Sequence, residues 1–145
     1  MGLALLRLLT FAWALTLGGA TDAQFDELIG PRTVTHGLAN FTGYGCHCGP
    51  GTRGPVLDKI DKCCRGHDCR YDKAEMFGCA PGTHTYRYYS LPGKIKCVKT
   101  RYRCEKMACE CDQKAAKCFG KHPFVYDPQR LRFPSLVCSG PLPFC

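Results

Sequence analysis

Helical spacing marks two long segments of the chain. The first runs from Asp58 to Met76 and ends at the turn-like sequence GCAPGTH, and the second runs from Tyr102 to Lys117. Residues at i, i+4 and i+7 share one face of a helix. Cys63, His67 and Arg70 therefore lie on one face of the first segment.

Shorter patterns predict two small elements. The stretch FDELIG places Phe25, Leu28 and Ile29 at i, i+3 and i+4, which predicts a short N-terminal helix. Between Tyr86 and Lys99, alternating residues flank LPGK, which predicts a small β-hairpin. The glycine-rich stretch YGCHCGPGTRG, residues 44–54, predicts a loop held by its cysteines.

The cysteine count narrows the class of protein. The chain has 145 residues with 13 Cys, 16 Gly and 10 Pro, which is typical of a single secreted domain stapled by disulfides. An apolar run over residues 3–17, followed by GGA, predicts a signal peptide over residues 1–20 and one exported domain over residues 21–145. We therefore expect a secreted, extracellular protein.

A basic surface favours anionic partners. The formal net charge is +8, and Arg7 is the one charged residue of the predicted leader, so the mature chain carries +7. Nucleic acid is not expected as a partner of a secreted disulfide protein, so an anionic phospholipid membrane or a heparan-type sulfated glycan is the better interpretation. The alternative is a charge that only keeps the protein soluble.

The stretch KCCRGHDCRY, residues 62–71, fits a metal site, a disulfide framework or a catalytic helix. Export disfavours zinc, because disulfides dominate in oxidising compartments. If the two long helices are antiparallel and Cys63 faces Cys118, then Arg70 faces Cys111 and His67 lies beside Asp112. This register predicts a buried contact between His67 and Asp112. It also places Arg70 at the position where a cysteine could form a second disulfide with Cys111.

The motifs CCRGHDCRY, YGCHCGPGTRG and ACECD together resemble the secreted phospholipases A2 of the type with a Cys-terminated C-terminal extension. The family motif C-C-x-x-H-D-x-C-Y is matched except at Arg70, and the resemblance covers essentially the whole mature chain. It implies a mainly α, disulfide-stapled fold with two long antiparallel helices, a short N-terminal helix, a calcium loop and a small β-hairpin. The disulfides that it implies are Cys46–Cys138, Cys48–Cys64, Cys63–Cys118, Cys69–Cys145, Cys79–Cys104 and Cys97–Cys109. Cys111 is then left over, although sequence alone allows many other connectivities.

The resemblance also implies an activity, which is calcium-dependent hydrolysis of the sn-2 ester of glycerophospholipids. His67 would be the base that activates water, Asp112 would orient it, and Tyr71 and Tyr86 would hydrogen-bond the aspartate. On its own, His67 could equally be a structural histidine, and each tyrosine an ordinary half-buried aromatic residue.

Calcium (Ca2+) is the implied cofactor. Backbone carbonyls of His47, Gly49 and Gly51 and the carboxylate of Asp68 would hold it, and the Gly49 N–H would help to stabilise the oxyanion. The loop lacks the carboxylate spacing of an EF-hand, so a plain stapled turn is the alternative. Thr52 stands where the family usually has glycine, which would strain or reshape the loop.

Several further expectations depend on these assignments. Arg70 is expected near Asp112 and Asp68, where it would pair with either, or else it extends to solvent and only forfeits a disulfide.

The runner-up function is a catalytically weak or silent binding protein for a membrane, glycan or receptor. The chain is expected to be either a monomer or a dimer linked through Cys111. Asn40 begins the glycosylation sequon NFT. The residues expected near the acyl channel and the membrane-facing rim are Ala23, Phe25, Ile29, Leu38 and Pro50.

Overall fold

The computed structural model describes Phe25 and residues 41–49, 53–91, 94–132 and 136–145. Phe25 itself is helical. The rest of the predicted N-terminal helix, the signal peptide and its cleavage point lie outside the described residues, and these stay predictions.

Helix α1 spans Lys59–Met76, in agreement with the helical spacing. The side chain of Asp58 caps its start by accepting a hydrogen bond from the Asp61 N–H at 2.8 Å, which satisfies one of the free donors of the first turn. Just beyond its end, Gly78 has a φ of 79°, the left-handed conformation in which helices commonly terminate.

Helix α2 spans Arg103–Gly120, so its predicted end at Lys117 is one turn too early. The extra turn carries Phe119, which is buried, and Cys118, which is bonded to Cys63 near the start of α1. A bond between the start of one helix and the end of the other makes the two helices antiparallel, as expected.

The hairpin consists of β1, Tyr88–Leu91, and β2, Lys94–Cys97. The strands are antiparallel, with Tyr88 opposite Cys97. They are shorter than the predicted segment of residues 86–99, and Tyr86 lies outside them with its side chain fully buried.

Six disulfides hold these elements together. They are Cys46–Cys138, Cys48–Cys64, Cys63–Cys118, Cys69–Cys145, Cys79–Cys104 and Cys97–Cys109. Every pairing that the family resemblance implied is confirmed. Cys111 is free and buried, also as implied. The antiparallel register explains this, because Cys111 faces Arg70, which has no thiol to pair with it.

Aromatic rings fill the space beside the two helices. Phe41 stacks on Phe119 with ring centroids 4.5 Å apart, and Tyr44 stacks on Tyr126 at 4.8 Å. These rings form part of a core that also contains Phe25 and residues of both helices. Within the described ranges, neither helix is long and apolar enough to cross a membrane.

Candidate functional site

His67 of α1 and Asp112 of α2 meet between the two helices. The Nε2 atom of His67 lies 2.7 Å from Oδ1 of Asp112. The Asp112 side chain is fully buried, whereas 13% of the His67 side chain is exposed. The contact predicted from the antiparallel register is therefore confirmed, and it opens to solvent only on the histidine side.

Two tyrosine hydroxyls hold the carboxylate of Asp112. Tyr71 donates to Oδ1 at 2.8 Å and Tyr86 donates to Oδ2 at 2.6 Å. Burial, and next the charge of Asp112, raise the pKa of Tyr86, so its hydroxyl keeps the proton that it donates. With three donors on two oxygens, the buried carboxylate is well satisfied and fixed in orientation.

An open cleft of about 370 Å³ lies over the His67 ring. Phe25 stacks on the imidazole with ring centroids 4.5 Å apart, and the centroid of the Tyr71 ring lies 4.2 Å from that of the imidazole. Phe41 and Phe119 add apolar walls. Because Nε2 is bonded to Asp112, Nδ1 is the ring nitrogen that remains for chemistry.

Three of the four predicted metal ligands, His47, Gly49 and Asp68, line the same cleft. The fourth, Gly51, lies outside the described residues. Gly49 has a φ of 133°, a conformation that residues with a Cβ rarely adopt. The buried ring of His47 donates from Nε2 to the Gly54 carbonyl at 2.9 Å, so this residue would offer its backbone oxygen and not its imidazole.

The donor set fits a hard cation. Burial is the main cause that raises the pKa of Asp68 from 3.8 to about 6, and no ion pair among the described residues includes this carboxylate. A partly buried carboxylate beside a loop of backbone oxygens is a typical calcium environment. A bound divalent cation would supply the missing counter-charge.

Asp61 anchors the loop that carries His47. Its buried carboxylate accepts the N–H groups of Cys46 at 3.1 Å, His47 at 2.7 Å and Leu57 at 2.9 Å. A Cβ at Gly45 would lie 2.5 Å from the carboxyl carbon of Asp61, so only glycine fits there. The first turn of α1 thus fixes the position of the loop relative to Asp68 and His67.

The family model for Phospholipase A2 matches residues 23–129. The chain belongs to the phospholipase A2 family. It is 54% identical over 127 residues to the phospholipase A2 homolog otoconin-22 of Xenopus laevis, covering 86% of this chain and 100% of that protein. It is 37% identical over 123 residues to the membrane-associated phospholipase A2 of Mus musculus, covering 85% and 84%. It is 38% identical over 122 residues to the basic phospholipase A2 Sct-N6 of Sistrurus tergeminus, covering 84% and 86%.

In this phospholipase A2 chain, the four predicted catalytic residues form one hydrogen-bonded group. They are His67, Asp112, Tyr71 and Tyr86. Their roles, and those of the metal ligands, remain predictions that the geometry makes chemically reasonable. Thr52, the predicted rim residues other than Phe25, and the sequon at Asn40 lie outside the described residues.

The expectation that Arg70 pairs with Asp112 or Asp68 is wrong for the described structure. Neither carboxylate forms an ion pair with it. Helical side chains lean towards the N-terminus of their helix, and the Arg70 guanidinium extends that way to lie beside Gly66, where a Cβ would be 3.6 Å from Nη2. Both oxygens of Asp112 are already occupied by His67 and the two tyrosines. The pair of His67 and Asp112, called the dyad below, is therefore undisturbed by Arg70.

Asp61 is the site residue that sequence reasoning missed. Its signal in the sequence is DKID, in which Asp58 and Asp61 have the spacing of a capping box at a helix start. That motif predicts a local role at the helix end. The long-range bonds to the loop depend on a fold that the motif does not contain.

Asp61→Asn is expected to lower the free energy of unfolding by about 2 kcal/mol, because the amide cannot accept all three backbone bonds and leaves buried donors unpaired. Calcium binding should weaken as well, since the loop loses its anchor. Urea unfolding and calcium titration measure the two effects. Glu75→Gln, the same change of acid to amide at an exposed site on the same helix, is the control, and equal stability of the two variants would contradict the anchoring role.

Asp68→Asn is expected to stabilise the calcium-free protein at pH 7. The folded-state pKa of Asp68, about 6, lies above its usual 3.8. The folded protein therefore holds this proton more tightly, and the resulting stability is present below pH 4 and lost as the pH rises through 6. Asparagine stays neutral, so it should gain roughly 2 kcal/mol at pH 7, after allowance for partial exposure.

Urea unfolding of wild type and Asp68→Asn in a chelator, at pH 4 and pH 7, measures this difference. The two proteins should converge at pH 4. Added calcium should stabilise the wild type at pH 7 and leave Asp68→Asn unchanged. A variant that is less stable than wild type without calcium would show that burial does not penalise the charge.

Proposed function

We propose that this chain hydrolyses the sn-2 ester of glycerophospholipids at membrane interfaces, in a calcium-dependent reaction. The observation that carries the proposal is the His67–Asp112 contact at 2.7 Å, which opens on an apolar cleft that also holds Asp68. A buried carboxylate fixes the orientation of a histidine whose second nitrogen faces that cleft. This arrangement suits a general base that acts on water.

The chain's own residues supply the proton transfers. His67 Nδ1 takes a proton from a water molecule as the water oxygen attacks the ester carbonyl carbon. Asp112 holds the imidazolium that forms, while Tyr71 and Tyr86 keep Asp112 in place. His67 then returns the proton to the departing alkoxide of the lysophospholipid, and the fatty acid is released.

Calcium is the proposed cofactor. The carbonyls of His47, Gly49 and Gly51 and the carboxylate of Asp68 would hold the ion, and the oxygen donor set suits it. When bound, calcium would polarise the ester carbonyl and stabilise negative charge on its oxygen. The Gly49 N–H is in the same loop and would assist at that oxygen.

The proposed partner is an anionic phospholipid surface. The cleft has aromatic walls from Phe25, Phe41 and Phe119 that suit an acyl chain, and the mature charge of +7 favours anionic headgroups or a heparan-type glycan.

Family membership and six disulfides support a secreted, extracellular location. Cys111 is 5% exposed, so we propose a monomer, because a buried thiol is poorly placed to reach a second chain.

A binding protein without turnover is the second candidate. Arg70 and the free Cys111 depart from the family pattern beside the dyad, and the relative that is 54% identical is itself named a homolog of phospholipase A2. Such a protein would bind calcium or membranes through the same cleft and release no fatty acid.

Hydrolysis of phosphatidylglycerol vesicles, measured with calcium and with a chelator, separates the two candidates. The proposal predicts fatty acid release that appears with calcium and disappears with the chelator. Vesicle binding with calcium and no release would support the binding protein and overturn the enzyme.

A further inference from the structure

A second cleft, of about 610 Å³, lies on the side of α1 away from the dyad. Helix α1 contributes residues 62, 65, 66, 69 and 70 to this cleft. Residues 62, 65, 66 and 69 recur at helical spacing on the face of α1 away from Asp68, and Arg70 lies at the edge of that face. Pro143, Phe144 and Cys145 of the C-terminal segment form the other wall.

The cleft is basic. Lys62, Arg65 and Arg70 line it, and none of them is in an ion pair with any residue that the structure describes. Nε of Arg65 and Nη1 of Arg70 are buried and have no hydrogen-bond partner within the described ranges. A buried donor without a partner costs free energy, so an acceptor that reaches these guanidinium groups would lower that cost.

The position of each arginine is set by the fold. Arg65 donates from Nη2 to the Pro143 carbonyl at 2.7 Å, and the Cys69–Cys145 disulfide ties the C-terminal segment to α1. The missing side chain of Gly66 leaves room for the guanidinium of Arg70. The guanidinium of Arg65 is therefore held at the cleft by a contact that does not involve a ligand, and the space at Gly66 admits the guanidinium of Arg70 beside it.

We infer that this cleft binds a tetrahedral oxyanion, a phosphate or sulfate group, carried on a small organic molecule. Guanidinium groups present N–H donors in a planar fork that matches the oxygens of such anions. The cleft is many times larger than the ~30 Å³ share of one water molecule, so a bare ion would leave it mostly unfilled. Val56, Pro143 and Phe144 offer apolar surface to the carrier.

The inferred site is separate from the proposed catalysis. Arg70 stands where the family motif has cysteine, so the arginine that replaces one end of a disulfide supplies one side of the oxyanion site. The inference does not depend on hydrolysis, because no residue of the dyad or of the calcium loop lines this cleft.

Calorimetric titration with sodium sulfate tests the inference, in buffer with calcium and with ionic strength held constant by chloride. Arg70→Gln is expected to weaken sulfate binding by about tenfold or more, the value of one charge-assisted hydrogen bond. Arg101→Gln removes the same positive charge at an exposed site, and it should leave the affinity for sulfate within about twofold of wild type. Thermal unfolding and disulfide mapping check that both variants fold.

Two carrier-bound anions distinguish the source of the ligand. Glycerol 3-phosphate represents a lipid headgroup, a sulfated disaccharide represents a glycan, and at least one is expected to bind more tightly than inorganic sulfate. Wild type that shows no sulfate binding, or equal losses in Arg70→Gln and Arg101→Gln, would overturn the site. Sulfate binding with neither organic anion tighter would overturn the assignment of a carrier.

Discussion

Replacing His67 by glutamine is expected to lower the rate of phospholipid hydrolysis by about 100-fold to 10,000-fold, the usual contribution of a general base. The glutamine amide can still hydrogen-bond Asp112, but it cannot take a proton from water. The nearby ring of His47 is fully buried and bonded to the Gly54 carbonyl, so it cannot replace His67. The measurement is the initial rate of fatty acid release at saturating calcium.

His84→Gln is the matched control, because it makes the same chemical change at a residue that does not line the cleft. It should keep the wild-type rate. Calcium titration of His67→Gln should show near-normal binding, since the metal ligands are untouched. A His67→Gln variant with the wild-type rate would show that the dyad does not act as the base.

Replacing Arg70 by cysteine is expected to create a disulfide with Cys111 and to raise the free energy of unfolding by about 2–4 kcal/mol. The helix register supports this pairing: Cys63 is bonded to Cys118, and Arg70 and Cys111 follow in the same antiparallel register. The charge of Arg70 acts on the Cys111 thiol, which agrees with their proximity. Urea unfolding under oxidising conditions measures the gain.

Arg70→Ser is the control for this variant, because it removes the same arginine without adding a thiol. Burial, and next the charge of Asp112, raise the pKa of Cys111 to about 11, so little thiolate is present in the folded protein and the bond should form during folding. Peptide mapping should recover residues 70 and 111 in one disulfide-linked pair. Two free thiols and a stability equal to Arg70→Ser would contradict the register.

Once Cys63 is taken to face Cys118 on antiparallel helices, the sequence is sufficient to predict the contact between His67 and Asp112. One disulfide between Cys63 and Cys118 sets an antiparallel register, and helical geometry then places His67 beside Asp112. Contacts of this kind repeat at fixed intervals along two helices, so they can be read from residue numbers. The connectivity of the disulfides required the family resemblance, since thirteen cysteines leave many combinations open.

Other features could not be read in this way because they depend on several segments at once. The direction of Arg70 depends on the space at Gly66 and on the three donors that already occupy Asp112. The anchoring role of Asp61 depends on a loop that the chain reaches 14 residues earlier. The basic cleft forms only because Cys69 and Cys145 bring the end of the chain back to α1.

The most direct test uses phosphatidylglycerol with distinct isotopic labels in its sn-1 and sn-2 acyl chains, presented as vesicles to the purified protein. With calcium, the account predicts release of the sn-2 label as free fatty acid, retention of the sn-1 label in lysophospholipid, and loss of both signals in a chelator. No release with calcium, release of the sn-1 label, or release that persists in the chelator would contradict calcium-dependent sn-2 hydrolysis.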